Sequence, residues 1–273
     1  MLAWRFFGGG LLALGVAAVA HKLLTSEPIL TAYALIFALA SVLMFTSSFS
    51  FVSAGEPPIP ASVREPARSF HAFLKGGLEV VRSDPRFRLF LYTQWLGGAT
   101  LMALPFYVVT ATKVGLSIQD VGVLLGAQTL GSLACNAVWG RIGDRYGKLV
   151  LLQAVTVLRV AVPLGALVIL ASASNLVPGM TLAAFAALFF LVGALINGMT
   201  IGYLGYLMEV SPNDRRPAYS AYFNALAAPA ALLPLLGAAI ADTFSLDTVF
   251  AIALCGAALQ IVFYVRLARW EAL

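Results

Sequence analysis

The residues of this chain that could do chemistry are few and unevenly placed. The densest group is Gly140-Arg141-Ile142-Gly143-Asp144-Arg145-Tyr146-Gly147-Lys148, one carboxylate among three cations, punctuated by three glycines. Such a set can hold a local salt-bridge network, and its carboxylate can also meet the positive N-terminal end of a neighbouring helix. It can clamp one conformation and release it in another. The plainer reading is a basic turn between two helices, which Gly140, Gly143 and Gly147 would permit. Arg159 stands alone in an otherwise uncharged stretch from Leu149 to Met208. A charge at such a place costs several kcal/mol unless it is paired or hydrated. Arg159 therefore contacts an anionic group, pairs with an acid elsewhere, or snorkels toward a region kinked by Pro163. Asp120, Glu209, Asp242 and Asp247 all lie at the ends of apolar runs. Cys135 and Cys255 sit inside such runs and read as small buried apolar residues. His21 and His71 sit in or beside loops. No HExxH, no GxSxG with a placed triad, no Walker loop and no acid pair at helical spacing occurs. Neither an enzyme nor a metal or cofactor site is expected, and Gly8-Gly9-Gly10 follows no strand that would make it a phosphate cradle.

The elements that must position these residues follow from composition. The chain has 273 residues, 61 % hydrophobic and 11 % charged, with a mean hydropathy of +0.92. A soluble domain carries roughly 25 % charged residues. A disordered chain needs low hydrophobicity, and an outer-membrane barrel alternates apolar and polar residues. The remaining class is an all-α polytopic membrane protein. The net charge of +5 then belongs to loop positioning and is no footprint of nucleic acid.

Uncharged runs mark the spans, each needing about 20 residues. They lie between Glu27 and Glu56, Arg88 and Lys113, Asp120 and Arg141, Arg216 and Asp242, and Asp247 and Arg266. Ser172, Ser174, Asn175 and Pro178 divide the long run near Arg159 into spans over 149–171 and 179–207. Phe6 to Ala20 is either a first span, extended by a snorkelling Lys22, or a signal peptide with Arg5 ahead of it. The total is eight spans, or seven without the first. With the N-terminus inside, inner segments hold fourteen basic residues and outer segments only Lys22 and Lys113. Both termini are then cytoplasmic. The one long loop, 55–88, opens on Glu56-Pro57-Pro58-Ile59-Pro60 and continues into Phe70, Phe73, Leu74, Leu78 and Val81 at helical spacing. That spacing predicts an amphipathic helix on the inner membrane surface, against the alternative of a solvated linker. Gly122 and Gly126, and Gly198 and Gly202, have the spacing of close helix approach. Pro105, Pro163, Pro229 and Pro234 fall inside spans and are expected to kink them.

The 140–148 stretch resembles the signature loop of the major facilitator superfamily, G-x-x-x-D-R/K-x-G-R/K, departing only where Leu149 replaces a further basic residue. Glu209 and Arg216, with six residues between them, resemble a second pattern of that family. The resemblance implies an MFS-type bundle with spans seven to twelve in 89–273, spans five and six in 1–54, and a cytoplasmic inter-bundle linker at 55–88. The first four helices have no counterpart. Either the chain is part of a longer transporter, or a partner supplies those helices. The implied function is transport of a small solute across the inner (plasma) membrane by alternating access, with proton coupling left open. A non-transporting subunit or inert remnant is the rival. Gly140, Arg141, Asp144, Arg145, Gly147, Lys148, Glu209 and Arg216 would form the cytoplasmic gate, with Asp144 meeting span five near Arg5. The antiporters' Gly-Pro motif is missing from the first span. The family layout directs the pathway to Tyr92, Gln94 and Trp95 in span seven and to Asn197 and Tyr203 in span ten. Gln128, Asn224 and Arg159 are further candidates. Each polar residue there lines a cavity or makes an interhelical hydrogen bond worth about 0.6 kcal/mol. Little formal charge lies along this path, which suggests a neutral or apolar substrate.

Overall fold

In the computed structural model, residues 2–53, 55, 69–175 and 177–271 are described. They form twelve α-helices and no strand. In chain order these are α1 (Leu2–Ser26), α2 (Ile29–Ser53), α3 (Phe70–Ser83), α4 (Pro85–Ala103), α5 (Phe106–Lys113), α6 (Ile118–Arg145), α7 (Lys148–Arg159), α8 (Ala161–Ser172), α9 (Pro178–Val210), α10 (Arg216–Ala227), α11 (Leu233–Thr243) and α12 (Leu246–Glu271). Seven segments are long and apolar enough to cross a membrane: Ile29–Ser53, Pro85–Lys113, Asp120–Arg145, Lys148–Asn175, Gly179–Val210, Arg216–Thr243 and Leu246–Glu271. The first apolar run forms part of α1, where only Gly8–Ala20 is apolar. The chain is thus an all-α polytopic membrane protein.

Contacts divide the chain into a unit of Leu11–Ser69 and a larger unit of Phe70–Leu273 that also includes Met1–Gly10. In the smaller unit α2 is apolar along its whole length, yet Ala32 is its one buried residue among those described. Leu30 and Phe51 are each 82 % exposed. Residues 56–68, most of the expected linker, lie outside the described residues.

The larger unit starts with sharp local signals. Asp84 caps α4, its Oδ1 accepting from the backbone N–H groups of Arg86 and Phe87 at 3.0 Å each. Pro85 follows in the first turn, where a missing N–H costs nothing. Ser117 and Asp120 form a reciprocal capping box at the start of α6. The expected prolines break three spans. Before Pro105, Leu104 N–H bonds back to Leu101 O in a tightened turn, and α4 gives way to α5. Pro163 offers no N–H to the carbonyl of Arg159, and the helix is interrupted at Val160, between α7 and α8. Around Pro229 the chain tightens into a 3₁₀ turn, Ala228–Leu232, between α10 and α11.

Helices α6 and α9 cross closely. A methyl group placed on Gly131 would fall 1.9 Å from Phe190 O, and one on Gly193 would fall 1.8 Å from Gln128 O. Only glycine lets the two backbones meet so closely. Trp139 ties the same pair, its Nε1–H donating to Ala194 O at 2.6 Å. The spacing-based expectation holds at Gly198 and Gly202, which pack on Trp139 and Leu152, but fails at Gly122 and Gly126. Those two face open space, because the GxxxG spacing fixes only that they share a face. The α3 helix docks through Gly76 and Gly77 onto Tyr222 of α10, with Phe73 and Tyr222 ring centres 4.8 Å apart. Leu78 stays 48 % exposed at the flank of this contact.

Candidate functional site

The α6–α7 connection is tighter than the glycine pattern suggests. Helix α6 runs on through Gly140, Arg141, Gly143, Asp144 and Arg145, so Tyr146 and Gly147 alone make the turn. Gly147 has φ +91°, a conformation costly to any residue with a Cβ. The turn sets Lys148 one helical turn from Asp144, and Lys148 Nζ donates to Asp144 Oδ1 at 2.9 Å. The lysine stem lies across Gly205 of α9, where an added methyl would come within 2.7 Å of Cγ. Asp144 remains 80 % exposed. Arg145 lies over the ring of Tyr146, 5.5 Å from its centre. Arg141 and Arg145 flank a hollow of about 240 Å³ with Ile142 and Tyr146. The side chain of Arg5 lies outside the described residues, so its expected meeting with Asp144 does too. Glu209 and Arg216 are both exposed at the end of α9 and the start of α10, and no ion pair joins them among the described residues.

A second polar cluster closes the same end of the bundle. Arg86, in the first turn of α4, pairs with Glu271 at the end of α12. Its Nε–H donates to Glu271 Oε1 at 2.7 Å and to the hydroxyl of Tyr206 on α9 at 3.3 Å. Tyr206 donates in turn to Glu271 Oε1 at 2.6 Å. The Arg86 guanidinium also sits 5.5 Å from the Tyr206 ring centre. Tyr219 of α10 donates to Asp84 Oδ2 at 3.3 Å. Beneath this lattice Phe223 stacks on Phe90 and meets Phe87 edge-on, with centre separations of 4.7 and 5.7 Å.

At mid-span the polar residues separate into groups. Asn197 is 9 % exposed and donates to Ser132 Oγ on α6 at 2.9 Å, an interhelical tie. Tyr203 donates to Asn224 Oδ1 at 2.6 Å, joining α9 to α10. Tyr92 and Trp95 are 44 % and 39 % exposed on α4, and Tyr92 meets Phe263 edge-on. Gln94 and Gln128 are half-buried. Arg159 is half-buried, and its Nη1 donates to Gln260 Oε1 on α12 at 3.3 Å. Gln260, fully buried, is held in turn by donation of its Nε2 to Thr93 O at 2.7 Å. Arg159 and Tyr107 border a cavity of about 130 Å³.

Much of this geometry falls within a region that matches a known family. The Major Facilitator Superfamily model matches residues 102–271. The chain belongs to the major facilitator superfamily. No curated protein matches it. The superfamily is one of membrane transporters of small molecules, and this member is a multi-pass membrane protein of that kind. Its matched region contains the whole α6–α7 turn and the Arg159 cavity except for Thr100 and Leu101. Sequence reasoning missed Arg86, Tyr206, Glu271 and Gln260. Gln260 was findable as the one amide in the last apolar run. Arg86 and Glu271 are 185 residues apart, and no local pattern links them.

Proposed function

We propose that the chain is the spans-five-to-twelve portion of a secondary transporter that moves a small solute across the plasma membrane by alternating access. In this reading residues 89–273 are the second six-helix bundle, 1–54 the last two helices of the first, and 55–88 the cytoplasmic linker. Helices one to four, in the same protein or supplied by a partner, complete the pathway. Both termini are cytoplasmic in this reading, which the distribution of basic residues supports. The observation that carries the reading is the α6–α7 turn. It keeps the family pattern at Gly140, Asp144, Arg145, Gly147 and Lys148 within the matched region. Its Asp144 holds Lys148 with one oxygen and stays open to solvent. An exposed carboxylate pinned at a helix end is suited to meet a helix terminus of the other bundle, closing the inner gate, and to leave it when the bundles rock. Arg141, Glu209 and Arg216 supply further charge at the same rim. Tyr92, Gln94, Trp95 and Tyr203 are proposed pathway residues, with Gln128 and Asn224 in second place. Asn197 has the contacts of a helix tie.

The test is uptake of labelled monocarboxylates, sugars and amino acids into proteoliposomes, with and without co-reconstituted helices one to four. Saturable uptake of one class is expected when those helices are present. Asp144→Ala lowers its rate at least about tenfold while folded yield is unchanged, because an exposed ion pair contributes at most about 1 kcal/mol to stability. Normal uptake by Asp144→Ala removes the gating role. No uptake of any class by the completed assembly favours the non-transporting subunit or remnant.

A further inference from the structure

The Arg159 cavity combines a cation, a fixed polar neighbour and apolar walls. A guanidinium carries five N–H donors. The bond that Arg159 makes among the described residues goes to the neutral oxygen of Gln260. No carboxylate of the described residues pairs with it. The Gln260 amide cannot turn away, because Thr93 O holds its nitrogen. Gly97 of α4 forms the floor beneath the guanidinium, and a methyl there would lie 3.1 Å from Nη1. Beyond the charge the walls are mostly apolar, with Leu104, Val162, Pro163, Val192, Leu195 and Ile196 beside Thr100 and Tyr107. The volume of about 130 Å³ is close to that of cavities of about 150 Å³ that hold benzene. A cation within a membrane span without a counter-charge is costly, and an anion brought into contact offsets that cost. One cation matches one negative charge. A dianion would leave its second charge against leucine and valine.

We propose that this cavity binds a small organic monoanion, a carboxylate carrying an apolar body of about six carbons. Arg159 takes the carboxylate, and the α4, α8 and α9 walls take the body. It differs from the neutral substrate that the sequence suggested. As the cargo site it rests on the transporter reading; as a binding site it stands apart from it. The experiment uses the full chain in nanodiscs, titrated calorimetrically with benzoate, with neutral benzamide and with cationic benzylamine. Benzoate is expected to bind saturably, benzamide at least about tenfold more weakly, and benzylamine not at all. Arg159→Gln abolishes the preference for benzoate over benzamide, and Arg159→Lys keeps part of it. Ile196→Trp fills the wall from a position already 41 % exposed and weakens benzoate with Arg159 intact. Equal binding of benzoate and benzamide overturns the proposal, as does undiminished benzoate binding by both Arg159→Gln and Ile196→Trp. Should Arg159→Gln fail to fold, Arg159→Lys and Ile196→Trp decide the matter. Benzoate binding without uptake of any solute defeats the transporter reading and leaves this one. Uptake of another solute without benzoate binding does the reverse.

Discussion

Tyr206 links a cation of α4 to a carboxylate of α12 from a position on α9, so one hydroxyl holds three helices. Its ring is fully buried. Tyr206→Phe keeps the ring and removes both hydroxyl bonds, and is expected to lower stability by about 1 kcal/mol. Glu271→Gln costs more, about 2 kcal/mol, because Arg86 then lacks its charged acceptor while only 29 % exposed. Thermal unfolding in detergent checks both; equal melting of Tyr206→Phe and the parent would show that the lattice does not hold the end together. At this scale the sequence was legible where only a two-residue turn separates the partners. Asp144 and Lys148 stand four apart and do pair. Glu209 and Arg216 are also near in sequence, yet they flank a turn at Ser211–Arg215 and stay apart. The spacing of residues across that longer turn does not fix the direction of their side chains.

Prolines were the most legible elements. Pro105, Pro163 and Pro229 each coincide with a break, because a missing N–H acts locally whatever surrounds it. Glycines were not, because their role depends on a neighbouring helix that sequence does not locate. Gly193→Ala is accordingly expected to destabilise by about 1–3 kcal/mol or to prevent folding, since backbone and not a flexible side chain stands in the way. Gly122→Ala meets nothing and is expected to be neutral or favourable by up to about 1 kcal/mol. Melting temperatures of the two variants, compared side by side, test this. A Gly193→Ala protein as stable as Gly122→Ala would contradict the α6–α9 crossing.

For the molecule as a whole, composition alone gave the class, and the charges gave the spans. The unit boundary was less legible. The loop reads as a divider between bundles, but its helix α3 packs through Phe73, Gly76 and Gly77 on Tyr222 and belongs with the larger unit. Residues 70–273 are therefore expected to fold without the preceding segment and to melt within a few degrees of the full chain. A much lower melting temperature would mean that the smaller unit stabilises the larger. The broken spans, Pro85–Lys113, Lys148–Asn175 and Arg216–Thr243, alternate along the chain with the continuous ones, Asp120–Arg145, Gly179–Val210 and Leu246–Glu271. Successive spans run in opposite directions, so all three broken ones leave the same, arginine-rich end. In mechanical terms the bundle has three jointed levers pointing one way and three rigid struts pointing the other. The Arg86 lattice fastens the base of the first lever to two struts.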